Sequence, residues 1–294
     1  MPVKEAKLLE GKALAAQIQN EIKKSIETFL AKGHPAPRLV SIQMAPDSGH
    51  EWYVSQQKKL ADKLGIELIH VPPQDVKTET DLVNQIHQAN RGPDIHGLFV
   101  TMPLPKNFDS DRILSEMNPQ KDVEGIHPAS LGLLMLRRAK LIPPTAYAAL
   151  QLIEFAIAQS EGEVLKGKKA VIVGQSAIVG RPLQMLLGER RVTITVCNTG
   201  TSETDLEAFI SKSDIVVACA GQPGLVKGAW IKPGAIVIDV GTTEVNGKLV
   251  GDVEFEEARK RAGFITPVPG GVGPLTVTML MQNLMTAYKW QKGI

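Results

Sequence analysis

The 294-residue sequence predicts an α/β protein of two domains, each built on a parallel sheet. Three observations carry that expectation. Short β-branched runs alternate with helical periods, the pattern of parallel strands joined by crossover helices and covered on both faces. The alternation restarts in the second half of the chain, and the length fits two domains of about 100–200 residues each. Hydrophobic residues make up 43% of the chain, enough for sizeable cores, so a disordered chain is excluded.

The elements follow from the spacing. From Gly11 to Lys32, Leu14, Ile18, Ile22, Ile26, Phe29 and Leu30 recur every three to four residues, one buried face of a helix that Gly33 and Pro35 stop. Arg38–Met44 reads as a short buried strand, Glu51–Leu64 as a helix ended by Gly65, and Ile66–Val71 as the next strand. Thr80–Asn90 is helical, and His96–Thr101 is a strand closed by Pro103 and Pro105. Pro143–Glu163 reads as a helix joining the halves. Strands then follow at Ala170–Val173, Val192–Cys197, Ile215–Ala218, Ala235–Val240 and Phe264–Thr266, and a last helix at Leu275–Trp290.

Charge and cysteine content narrow the class. A net charge of +2 with no basic run argues against a dedicated nucleic-acid binder. Cys197 and Cys219 cannot form a disulfide framework and point to a reducing compartment. The first residues lack the apolar core of a signal peptide, and no stretch approaches the roughly 18 apolar residues of a membrane span. A cytoplasmic protein without membrane partners is therefore expected. No His/Cys/Asp cluster has metal-ligand spacing, so no metal is expected.

The segment Gly174-Gln175-Ser176-Ala177-Ile178-Val179-Gly180 follows a strand and opens a helix, the place of a nucleotide-binding turn. A helix N-terminus offers backbone N–H groups and a positive dipole end to a diphosphate, and glycines allow its close approach. The spacing departs from the common GxGxxG, so an ordinary strand–turn–helix corner is the competing reading. The acidic ribose ligand usual about 20 residues further on is missing. Asn198 and Thr199 stand at the next strand tip and can hydrogen-bond a ribose, but carry no charge to choose between NAD and NADP.

Three further segments bring a resemblance: Asp239-Val240-Gly241, the run from Gly247 to Val253, and Ile265-Thr266-Pro267-Val268-Pro269-Gly270-Gly271-Val272-Gly273-Pro274-Leu275-Thr276. The last closely resembles a signature of the methylenetetrahydrofolate dehydrogenase/cyclohydrolase family, the bacterial FolD proteins. The turn at Gly174 is similar to that family's cofactor loop, and Lys121-Asp122-Val123-Glu124-Gly125 and Met102-Pro103-Leu104-Pro105 stand where its folate motifs belong. The resemblance implies a folate-binding domain over 1–145 plus the C-terminal helix 275–294, which packs back on it. A Rossmann-like dinucleotide-binding domain would span 146–274, with a folate cleft between the two and a homodimer formed through the second. It implies catalytic roles for Tyr53, Gln57, Thr101 and Glu124. Substrate would be bound by Tyr53, Pro103, Leu104, Asp122, Glu124, Pro269, Gly270, Gly271 and Pro274. The cofactor, NAD or NADP, would be held by Gly174, Gln175, Ser176, Ile178, Val179, Gly180, Asn198, Thr199, Gly241 and Thr242.

Departures from the family pattern cluster in the polar positions. The family's Tyr-x-x-x-Lys pair places two side chains on one helix face. Here Tyr53 is followed by Gln57, and Lys58 and Lys59 point about 100° and 200° further round. The family serine is His50, a glutamine is Thr101, the second aspartate of Asp-Val-Asp-Gly is Glu124, and Pro-Cys-Thr-Pro reads Pro143-Pro144-Thr145-Ala146. Arginines of the cofactor half are replaced at Gln175 and Gly200, which favours NAD because a forked partner for a 2′-phosphate is gone. Hydride transfer from the methylene carbon needs alignment more than proton transfer. Hydrolysis of the methenyl bridge needs an acid–base group, which Gln57 cannot supply. The expectation is NAD(P)-dependent oxidation of 5,10-methylenetetrahydrofolate to 5,10-methenyltetrahydrofolate, with cyclohydrolase activity weak or absent. His50 is a less favoured replacement base, and His127 reads as structural. The alternative is a divergent paralogue that binds folate or nucleotide without these activities, or uses another one-carbon substrate.

Overall fold

A computed structural model describes residues 5–44 and 48–294, apart from the side chains of residues 48–50 and 52. In chain order the elements are β1 (Lys7–Leu8), α1 (Gly11–Ala31), β2 (Arg38–Ile42), α2 (Ser48–Leu64), β3 (Glu67–Val71), α3 (Glu79–Arg91), β4 (Gly97–Val100), α4 (Ser110–Ser115), α5 (Pro128–Met135) and α6 (Pro144–Ala158). They continue with β5 (Lys169–Val173), α7 (Gly180–Glu189), β6 (Thr193–Cys197), α8 (Glu203–Ile210), β7 (Ile215–Ala218), β8 (Ile236–Asp239), β9 (Thr243–Val245), β10 (Lys248–Val250), α9 (Phe255–Arg259), β11 (Phe264–Ile265) and α10 (Val272–Lys292).

The chain divides into two compact units. The first comprises Ala16–Pro144 and Val277–Ile294 and holds a parallel sheet of order β3-β2-β4. Successive strand residues face opposite sides of a sheet. Leu39 and Phe99 accordingly join Ile22, Ile26, Leu280 and Tyr288 in one core. Val40, Ile42, Leu98 and Val100 join Leu82, Ile86 and Ile113 in another. Ser41 and Thr101 continue the alternation of Leu39 and Phe99, so they fall on the α2 side. As the resemblance implies, the last helix packs on this unit. The Asn283 side-chain amide donates to the carbonyls of Val123 and Ile142, both at 2.7 Å, and the Tyr288 hydroxyl donates to Pro35 O at 2.8 Å.

The second unit comprises the described residues up to Ala15 together with Thr145–Thr276. Its six-stranded sheet has the order β1-β11-β8-β7-β5-β6, with every pairing parallel. Here the first residues differ from the expected domain assignment. Lys7 N donates to Gly263 O at 2.9 Å and Leu9 N to Ile265 O at 2.8 Å, so β1 is an edge strand of this sheet. A two-residue strand has too little periodicity to announce itself. The joining helix ends at Ala158, earlier than the expected Glu163; Ser160 N turns back to Ile157 O at 2.9 Å, and the chain turns again at Gly162, φ +71°. Among the described residues no helix is long and apolar enough to cross a membrane.

Candidate active site

In the first unit the order β3-β2-β4 reverses direction beside β2, and such switch points are where open parallel sheets bind ligands. The polar groups gather there. α2 presents Tyr53 and Gln57 on one face, four residues apart. Gln57 is fully buried; its Oε1 accepts from Ser41 Oγ at 2.9 Å, while its Nε2 is buried without a hydrogen-bond partner. Lys58 and Lys59 are exposed, so the helix is not shifted to bring either into the place of Gln57. The Tyr53 ring packs on Phe99 with centroids 5.7 Å apart. Burial raises its phenol far above the ordinary range, the charge of Glu124 adds to that, and the neighbouring Gln57 amide opposes it.

Residues 121–123 run beside β4 through the bridge Leu98↔Asp122. Asp122 is fully buried; Oδ2 accepts from His127 N at 2.8 Å and Ser130 Oγ at 3.4 Å, and Oδ1 has no partner. Burial raises the Asp122 carboxyl. Burial and the charge of Asp122 push Glu124 up to about 8. Thr101 is buried and its hydroxyl accepts from Met44 N at 3.1 Å, in the loop after β2.

The same segment holds groups whose work is structural. Lys121 Nζ donates to the carbonyls of Ala89, Asn90 and Gly92 and closes the end of α3. His127 Nδ1 accepts from Ala129 N and caps α5. Leu104 lies in the core, while Pro103 is exposed. The side chain of His50 lies outside the described residues. Ser41, the partner of Gln57, carries no motif and is missed by sequence reasoning; only its register on β2 gives it away.

The second unit has its own switch point, between β5 and β7. Gly174 has φ +118°, and a Cβ there would lie 2.4 Å from Cys219 O; a Cβ on Gly180 would lie 2.0 Å from Gly174 O. The chain closes this tightly only with glycine at both places. Between them Gln175, Ser176, Ala177 and Ile178 are exposed at the start of α7, whereas the Val179 side chain is buried. Ser176 Oγ accepts from Val179 N at 3.2 Å and stiffens the turn. Asn198 Oδ1 accepts from Gly200 N at 2.8 Å, and Thr199 is exposed. Gly241 N donates to Asp239 Oδ1 at 3.0 Å, and Thr242 beside it is exposed. Burial pushes the Cys219 thiol up to about 12, which leaves it an inert strand-end residue. Gly270 and Gly271 also belong to this unit: Gly270 O accepts from Gly11 N at 3.1 Å, and Gly271 N donates to Pro267 O at 2.8 Å. Pro269 is exposed and Pro274 half-buried.

A glycine-lined turn that opens a helix at the switch point of a parallel sheet is the arrangement found in dinucleotide-binding α/β proteins. Comparison with known proteins specifies the class. The catalytic domain of tetrahydrofolate dehydrogenase/cyclohydrolase matches residues 9–124, and the NAD(P)-binding domain of the same family matches residues 143–292. The bifunctional protein FolD of Geotalea uraniireducens is 41% identical over 285 residues, 97% of this chain and 99% of that protein. The Aquifex aeolicus bifunctional protein FolD is 40% identical over 285 residues, covering 97% and 96%. The crystal structure of Trypanosoma brucei FolD, complexed with NADP cofactor and inhibitor, superimposes with a TM-score of 0.93 at 36% identity, covering 99% of this chain and 100% of that one. The Campylobacter jejuni bifunctional enzyme gives 0.87 at 35% identity, covering 97% and 99%. The chain belongs to the tetrahydrofolate dehydrogenase/cyclohydrolase family, enzymes of one-carbon folate metabolism with an NAD(P)-binding domain.

Proposed function

We propose that this enzyme oxidises 5,10-methylenetetrahydrofolate to 5,10-methenyltetrahydrofolate and hydrolyses that product weakly or not at all. The observation that carries this reading is the buried Gln57 between Ser41 and Tyr53. Its amide holds no titratable proton, and the lysines that follow it on the helix, Lys58 and Lys59, are exposed. Hydrolysis must take a proton from water and give one to a ring nitrogen, and general acid–base help is worth about 10²–10⁴-fold. Oxidation asks less of these residues. Tyr53 supplies a flat surface against Phe99, and the half-buried Glu124 supplies an acceptor for the N–H groups of a pterin, with the fully buried Asp122 beside it acting on its charge.

The turn between Gly174 and Gly180 fits a dinucleotide diphosphate, because the close glycine packing leaves exposed backbone at a helix start. Gly174, Gln175, Ser176, Ile178 and Gly180 would hold it, with Asn198, Thr199, Gly241 and Thr242 lining the adjoining strand ends. When bound, NAD(P) supplies the acceptor for the hydride. With Gln175 and Gly200 at the arginine positions, NAD is the preferred form. A homodimer through this unit is part of the same reading, supported by β6, an edge strand with half-buried Ile194, Thr195 and Val196.

A paired assay tests the proposal. One arm follows NAD- and NADP-dependent oxidation of methylenetetrahydrofolate; the other follows methenyltetrahydrofolate decay above its spontaneous rate. Oxidation without hydrolysis is the expected result. Two full activities would show that another group does the lysine's work, and neither would point to a divergent binding protein.

A further inference from the structure

Two segments that contribute only resemblance at the level of sequence, Asp239-Val240-Gly241 and Gly251-Asp252-Val253, interlock in the structure. Asp239 is 3% exposed and Asp252 0%. Asp239 Oδ1 accepts from Gly241 N and Asp252 N, both at 3.0 Å, and its Oδ2 accepts from Val253 N at 2.9 Å. Asp252 Oδ2 accepts from Ala220 N at 2.7 Å and Gly221 N at 2.9 Å. Each carboxylate also packs on the other segment's glycine. A Cβ on Gly251 would lie 2.0 Å from Asp239 Oδ2, and a Cβ on Gly241 would lie 2.3 Å from Asp252 Cγ.

This clasp joins backbone at the ends of β7 and β8. Asp252 holds Ala220 and Gly221; the preceding Cys219 carbonyl stands where a Cβ on Gly174 would go, at the start of the glycine turn. Asp239 holds Gly241, beside the exposed Thr242. Neither side chain is exposed to a ligand, so their effect on one must pass through the backbone they fix. We propose that Asp239 and Asp252 are positioning residues for the nucleotide: by fixing residues 219–221 and 241 they hold the strand-end rim of the crevice in the shape that receives NAD(P).

Asp252→Asn and Asp239→Asn test this, because each keeps the shape of the side chain and alters its acceptors. The Kd for NAD⁺ and for NADP⁺, measured by titration calorimetry, should rise about tenfold or more, as expected when buried backbone donors lose a charged acceptor. At saturating nucleotide kcat should stay within about threefold, and KM for methylenetetrahydrofolate should not move, the pattern of lost uniform nucleotide binding. A lowered Tm with unchanged Kd in both variants would overturn the positioning role. Amide exchange on the wild-type enzyme gives a readout independent of any variant. The amides of Ala220 and Gly221 should be protected before nucleotide is added; free exchange there would overturn the clasp. Failure of the wild-type enzyme to bind either nucleotide would overturn the NAD(P) reading as well, and is thereby distinct from failure of the aspartates' role alone.

Discussion

The two parallel sheets reach the same topological solution and furnish it differently. In each, the order of strands reverses beside one strand, β2 in one and β5 in the other. At β2 the switch point is furnished with side chains: Tyr53, Gln57, Ser41, Asp122 and Glu124, with Gln57 Nε2 and Asp122 Oδ1 buried and unpaired. At β5 it is furnished with backbone: Gly174, Gly180 and Gly241 are packed too closely for a Cβ, and two buried aspartates hold the amides of Ala220, Gly221 and Gly241. Unpaired buried polar atoms cost stability, about 1–3 kcal/mol each, and the clasp at β5 carries one as well, Asp252 Oδ1. A backbone crevice tolerates changes such as Gln175 and Thr199 on its exposed rim without losing its shape. A side-chain site has no such tolerance, which is the basis for proposing that the exchange at position 57 weakens hydrolysis and spares oxidation.

The largest expected effect comes from restoring a titratable group to the first switch point. Gln57→Lys should raise methenyltetrahydrofolate hydrolysis by about 10²–10⁴-fold, with oxidation changed far less. If hydrolysis does not move, Thr101 and Glu124 contribute to the loss and the single-residue contrast between the two sites fails. The backbone site should break in another way. Gly180→Ala places a methyl where Gly174 O stands 2.0 Å away. Overpacking of this kind costs about 1–3 kcal/mol, read as a lowered Tm, and NAD⁺ binding should be lost with it.

The smallest effect sharpens the electrostatic side of the comparison. The Glu124 carboxyl is pushed up to about 8, so it is protonated at pH 7 in the free enzyme. The pterin's N–H groups are best accepted by the carboxylate. KM for the folate substrate should therefore fall as pH rises from about 7 to 9, by up to about tenfold per pH unit below that pKa. Glu124→Gln should flatten the profile; a profile unchanged in that variant would assign the titration elsewhere.

Much of the fold is legible in local windows. The strands at 38–42, 67–71, 97–100, 169–173 and 215–218 announce themselves by short apolar runs, and α1 by its period, because each buries a face whose spacing is set by its own backbone. β1, the β9–β10 hairpin and α8 are not legible in that way. They are short, and β1 exists only because β11 offers an unpaired edge. In the site, Tyr53, Gln57 and Glu124 are found by motif position, while Ser41 is an ordinary strand residue until β2 meets α2.

The amino-acid sequence by itself determined the α/β class, the glycine turn after β5, the family and the absence of the lysine from the Tyr-x-x-x-Lys pair, since each is a matter of residue identity at a local spacing. Only the tertiary structure decided that Gln57 is buried against Ser41, that burial and then Asp122 raise Glu124, and that Asp239 and Asp252 clasp each other's glycines. Burial and proximity across many residues set solvation and charge coupling, and neither quantity exists until distant segments have packed.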